Sequence, residues 1–124
     1  MKNPIRNLIV IAASAPASVA AARAAALELA HAKDPAGAGE DAAGRIVFAV
    51  EWEPAFKDLK ALSARFPEVG FTLYGDSFAK QHWITKTVFA AGKAESDGTF
   101  SRIDGDDFRR VFQEIFGEEF REKR

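Results

Sequence analysis

RIVFAVEWE (residues 45–53), PAFKDLKALSARFP (54–67), EVGFTLYGD (68–76) and HWITKTVFAAGK (82–93) read in turn as strand, helix, strand and strand. In the first, Ile46, Phe48, Val50 and Trp52 alternate with Val47, Ala49, Glu51 and Glu53, the period of a half-buried strand. Pro54 then opens a helix at its first position, where a missing N–H costs nothing. Ala55, Leu59, Leu62 and Phe66 form a core stripe along it, and Pro67 stops it. Val69, Phe71 and Leu73 share one side of the next strand, with Thr72 and Tyr74 opposite. Gly75-Asp76-Ser77 reads as a turn or bend, so the strand from about His82 to Ala91 is expected to return antiparallel.

Outward from this block, Ile5 to Ala13 is an apolar strand with little alternation. Leu8, Ile9, Val10 and Ile11 suggest burial on both faces, hence a central place in a sheet. A helix follows from Ser14 or Ala15 to about Ala32, with Pro16 in its first turn. Its stripe is Val19, Ala22, Ala26, Leu29 and Ala30, small side chains that let a helix lie close to a sheet. Residues 34–44, DPAGAGEDAAG, read as a flexible loop long enough to hide a short strand. Downstream, Asp97-Gly98 signals a hairpin leading into a short strand, Thr99 to Ile103. Asp104 caps a last helix, with Asp107 in capping-box position. Phe108, Val111, Phe112, Ile115, Phe116 and Phe120 give that helix an apolar face needing a partner. Residues 118–124 are a charged tail expected to fray.

The order β-α-β-α-β-β-β-α predicts one α+β domain over residues 1–124. The expected form is a two-layer sandwich with a mixed four- to five-stranded sheet, two crossover helices and a Phe-rich C-terminal helix.

The chain has 124 residues, 48% of them apolar and 28% charged, and no cysteine. That composition is globular. It excludes disulfides, thiolate catalysis, thiolate zinc sites and iron–sulfur clusters, and fits a reducing, cytoplasmic setting. The start MKNPIRNLIVIAASA has some signal-peptide character, but its apolar run is short and Pro16 is misplaced for cleavage. A buried strand followed by a helix start is the expectation, and no run is long enough for a membrane span. Net charge is −1, which does not advertise nucleic acid.

Residues 46–92 resemble the YubB-type domain family of plasmids and phages. The matching positions are Trp52, Pro54, Leu62, Ser63, Arg65, Phe66, Pro67, Phe71, Leu73 and Tyr74. The Trp-x-Pro and Arg-Phe-Pro elements are the more specific part. The resemblance implies a ferredoxin-like fold and a mobile-element origin. It carries no catalytic residues. The Ala-rich helix, the Phe-rich last helix and the absence of cysteine depart from the family pattern.

No motif for chemistry stands out. His31 and His82 are far apart, and His31 fits the negative end of a helix. Asp97, Asp104, Asp106 and Asp107 lack calcium-loop spacing and suit a turn and a helix cap. Glu51 and Glu53 suit a solvated strand face. There is no phosphate loop and no nucleophile with a recognisable base. Neither a cofactor, a metal nor enzymatic activity is therefore expected.

What remains is binding. The expectation is a non-enzymatic module that docks on a host protein or protein complex, as an inhibitor of a host defence system of the anti-CRISPR type would. A homodimer is compatible with this reading. The expected contacts are the 75–86 turn, through Asp76, Phe78, His82 and Trp83, the strand residues Glu51 and Glu53, and the acidic helix, through Asp106, Asp107, Glu114 and Glu118. Tryptophan is enriched in binding hot spots. The alternative is a nucleic-acid regulator using a basic-aromatic patch of Lys80, His82, Trp83, Lys86 and Lys93.

Overall fold

The computed structural model describes residues 4–12, 16–51, 54–77, 83–101 and 106–116. The elements run β1 (Pro4–Ala12), α1 (Pro16–Lys33), β2 (Gly39–Glu40), β3 (Ile46–Glu51), α2 (Phe56–Arg65), β4 (Gly70–Ser77), β5 (Trp83–Ala90), β6 (Lys93–Ser101) and α3 (Asp106–Phe116). The fold is α+β. Among the described residues its sheet has six strands in the order β2-β3-β1-β4-β5-β6, and every neighbouring pair is antiparallel. The expected mixed sheet of four or five strands is corrected on both counts. The long loop contains β2, and the return after β5 comes early enough to give β6 nine residues.

β1 lies antiparallel between β3 and β4, so those two run parallel to each other and are joined through α2. β2 is antiparallel to β3, hence parallel to β1, and that pair is joined through α1. Two crossovers are thus interleaved, each straddling one strand.

The central place of β1 explains its unbroken apolar run. Ile9 enters one core with Ile46, Phe48, Phe71, Leu73 and Phe89, roofed by α1 and α2. Leu8 enters a second core with Tyr74, Ile84, Phe108, Val111 and Ile115. The Phe-rich helix is therefore the cover of the opposite sheet face, so helices occupy both faces and the expected two-layer sandwich is corrected to a sheet between two helical layers. Ala22, Ala26 and Ala30, the inner line of α1, are fully buried. α2 starts at Phe56, two residues later than the proline predicts. Asn7, buried in β1, accepts a hydrogen bond from the Ala55 N–H at 3.1 Å and so satisfies a donor at the start of α2. Such orphan donors need a partner.

Gly75-Asp76-Ser77 is not a turn. β4 continues through it, with Gly75 between Asn7 and Thr85, and Asp76 between Arg6 and Ile84. Two distant contacts dictate these residue types. A Cβ on Gly75 would lie 2.6 Å from both Pro54 Cγ and Thr85 Oγ1. Asp76 is 1% exposed and receives Arg6 Nη2 at 3.1 Å.

The hairpin between β5 and β6 turns at Ala91 (φ 50°) and Gly92 (φ 80°), not at Asp97-Gly98. Gly98 lies inside β6 opposite Lys86. Two consecutive positive φ angles are the signature of a tight two-residue turn, which asparagine occupies more readily than alanine. Ala91→Asn is expected to raise stability by roughly 0.5–1 kcal/mol, read as a higher urea midpoint with an unchanged slope. The expected strand end at Ile103 and the Asp104 cap lie outside the described residues.

Candidate interaction surface

The two edges of the sheet are treated differently. At one edge β2 is only two residues long. Beyond it, the Ala49 N–H of β3 donates to Asp34 Oδ2 at 2.9 Å, so a side chain takes up an amide there. Asp41 accepts from the N–H groups of Ala43 and Arg45 and from Arg45 Nε, at 3.0, 2.9 and 2.7 Å. Arg23 donates to the Gly44 carbonyl at 2.6 Å, which ties the same segment to α1.

Burial pushes the Asp41 carboxyl up, but hydrogen bonds from Arg45, its charge, and the Ala43 amide outweigh this and hold it below its ordinary 3.8. A carboxyl with a depressed folded-state pKa stabilises the fold above its unfolded value, and that contribution is lost as pH falls through the folded one. Between pH 5 and pH 3, Asp41→Asn is therefore expected to lose less stability than the parent chain. Parallel unfolding curves across that range check this.

The opposite edge is β6, and no strand among the described residues pairs with its outer side. Natural edges are blunted by lysine, proline, bulges or shortness. The first half of β6 has two such devices, Lys93 and an irregularity in register opposite Val88 and Phe89. The second half, Ser96 to Ser101, reads SDGTFS, without proline, lysine or arginine. It pairs regularly with β5 from Val88 to Trp83. Six residues of edge are thus presented whose one charged side chain is Asp97, which accepts a hydrogen bond from Thr87 Oγ1 at 3.0 Å.

Trp83 stands at the end of that stretch, paired in register with Ser101 on one side and Ser77 on the other. At 42% exposure it is the one large exposed hydrophobic among the described residues. Nearby, Thr85 Oγ1 is buried without a hydrogen-bond partner, while Thr87, two residues along the same side of β5, donates to Asp97 Oδ1 at 3.0 Å.

The other expected contacts are dispersed. Asp76 is buried rather than displayed at a turn, because it is the partner of Arg6. Glu51 is exposed at the end of β3, three strands from β5. Asp106 and Asp107 are exposed in the first turn of α3, and Asp107 pairs with Arg110 at 3.2 Å.

Glu114 turns toward the sheet. It receives Lys86 Nζ at 3.0 and 3.1 Å and the Tyr74 hydroxyl at 3.4 Å. Burial acts to lower the Lys86 pKa, but the bonds and charges of Glu114 and Tyr74 override it, so Lys86 sits above its ordinary value. Burial and the Glu114 charge raise that of Tyr74. Glu114 therefore latches α3 to β4 and β5. Lys86, committed to this latch, is withdrawn from the basic-aromatic patch, which retains Lys93 and Trp83 among the described residues. Phe78, His82, Lys80, Glu53 and Glu118 lie outside them.

The residues that sequence reading missed are those of the β6 edge. The signal available was the absence of proline, lysine and arginine over 96–101, hidden by reading Asp97-Gly98 as a turn. Among the described residues no group of acids and histidines could hold a metal ion, and no helix is long and apolar enough to cross a membrane. No protein-family model, curated protein or solved structure matches the chain.

Proposed function

We propose that the chain is a protein-binding module whose partner adds an extended segment to the Ser96–Ser101 edge of β6 and packs a side chain on Trp83. One observation carries this: among the described residues, the long β6 edge runs from Ser96 to Ser101 without proline, lysine or arginine, and the one large exposed hydrophobic stands at the end of that stretch. Strand addition draws affinity from main-chain hydrogen bonds and specificity from side-chain contacts, and tryptophan supplies much of the energy where it is buried at an interface. The scaffold reads as a ferredoxin-like core, β1 to β4 with α1 and α2, extended by β5, β6 and α3. The order β2-β3-β1-β4 with its interleaved crossovers supports that description. A host protein as the target, and inhibition of a host defence complex as the outcome, rest on the sequence resemblance to a mobile-element family.

Two substitutions test the surface. Trp83→Ala is expected to weaken a captured partner by about 2 kcal/mol, or roughly thirtyfold. Thr99→Lys, which places on the edge the residue natural sheets use to refuse a further strand, is expected to weaken the same partner comparably. Thr99→Lys should leave stability within about 0.5 kcal/mol of the parent chain, as surface changes do; Trp83→Ala, which removes a ring more than half covered, should cost more, and its affinity is read where the variant is folded. Unchanged affinity in both variants refutes the assignment. A low-salt mobility shift addresses the nucleic-acid alternative, and retention of DNA or RNA there would favour it.

A further inference from the structure

A concave region lies on the α3 face of the sheet, away from the β6 edge. It is a groove of about 410 Å³ between the C-terminal end of α3 and the 37–45 segment, floored by Leu8, Val47 and Ile115 with Phe116 as one wall. Its size falls within the range of small-molecule sites.

Two guanidinium groups line it, Arg6 and Arg45. Each is held in place by a carboxylate. The Arg6 side chain is 45% exposed and gives Nη2 to Asp76, whose side chain is 0% exposed, while its Cζ lies over the Phe116 ring, 5.0 Å from the centroid. Arg45 gives Nε to Asp41.

The acids around the groove are already engaged. Asp41 accepts three hydrogen bonds, and Glu40 pairs with Arg23 at 3.6 Å. A guanidinium has five N–H donors, and each arginine commits one nitrogen to its partner. Among the described residues the groove is therefore neutral in formal charge, and each arginine keeps N–H donors beyond the one bond to its carboxylate, above an apolar floor.

We infer that this groove binds a small amphipathic carboxylate, its head on the Arg6–Arg45 pair and its hydrocarbon along Leu8, Val47 and Phe116. Guanidinium forks match carboxylates in geometry, and the pre-positioned side chains reduce the ordering cost of binding.

The test is a nitrogen-15 NMR titration of the full chain with sodium decanoate, with decyltrimethylammonium as the charge-reversed control. Decanoate is expected to give saturating shifts at Leu8, Val47 and Phe116, and the cation none that saturate. Arg45→Lys can still satisfy Asp41 but leaves no fork for the ligand, and should weaken binding roughly tenfold. Val47→Asp places a carboxylate on the floor and should abolish it. Should Val47→Asp fail to fold, Arg45→Lys alone decides. Shifts that never saturate, that centre on other residues, that the cation reproduces, or that survive Arg45→Lys with unchanged affinity overturn the inference.

Discussion

Phe108→Ala is expected to lower the unfolding free energy by about 3–5 kcal/mol, the cost of emptying a phenylalanine site in a packed core. Phe108 is 0% exposed. It anchors α3 on Leu8, Tyr74 and Ile84, with Val111 and Ile115 following on the same side of the helix. Its ring lies 6.1 Å from that of Phe112, which is only partly buried. Phe112→Leu should therefore cost much less. α3 is also attached through the Glu114 latch to Lys86 and Tyr74, and through the Arg6 contact with Phe116. Both are partly exposed, and such pairs contribute little in water. Urea unfolding followed by fluorescence and by circular dichroism checks this. A loss below about 1 kcal/mol would mean that α3 is not part of the cooperative unit, against the usual behaviour of a small single domain.

Gly75→Val is expected to cost about 3 kcal/mol, the upper part of the usual range for overpacking. Its backbone is extended β4, which valine favours, so conformational preference argues for stabilisation. Space argues the other way and wins. A Cβ there meets Pro54 Cγ and Thr85 Oγ1 at 2.6 Å each, before the two further methyl groups are added. Pro54 stands directly before α2, and Thr85 sits in the neighbouring strand, so neither can retreat without moving an element. A neutral or stabilising effect in denaturant unfolding would show that the Pro54–Gly75 contact is loose.

Gly75 also shows why parts of the fold were legible in the sequence and others were not. The alternation of Ile46, Phe48 and Val50, the stripe Leu59–Leu62, and the double-sided run Leu8 to Ile11 are periodic patterns. Periodicity survives in any context, because it reports which faces meet water. Gly75 and Asp76 carry no period. Their local chemistry says turn, while their cause is distant: a proline that needs room and an arginine on β1 that needs a buried carboxylate. The same holds for the second hairpin. Asp97-Gly98 is the stronger turn signal, yet the chain turns at Ala91-Gly92. There Phe89 has found its place opposite Phe71, and Gly92 N–H reaches Ser63 Oγ on α2 at 3.0 Å.

Trp83 was legible as an exposed aromatic candidate on residue type alone. The edge beside it was not, since an edge is a property of strand order and no short window contains it. Arg6 and Arg45 were likewise silent, because they line one groove only once α3 crosses the sheet. The acidic residues of α3 looked alike in sequence, but the helix turns Glu114 inward to Lys86 and leaves Asp106 and Asp107 outside.

The most direct measurement is amide hydrogen exchange along β6, with and without a captured partner. In the free chain, the outward-facing amides of Ser96–Ser101 should exchange orders of magnitude faster than those of the central strand β1, because exchange follows local opening and exposed hydrogen-bond donors. On binding, those same amides should become protected, together with a change in Trp83 fluorescence. Protection that appears on another element, with the β6 amides and Trp83 unchanged, would contradict strand addition at this edge.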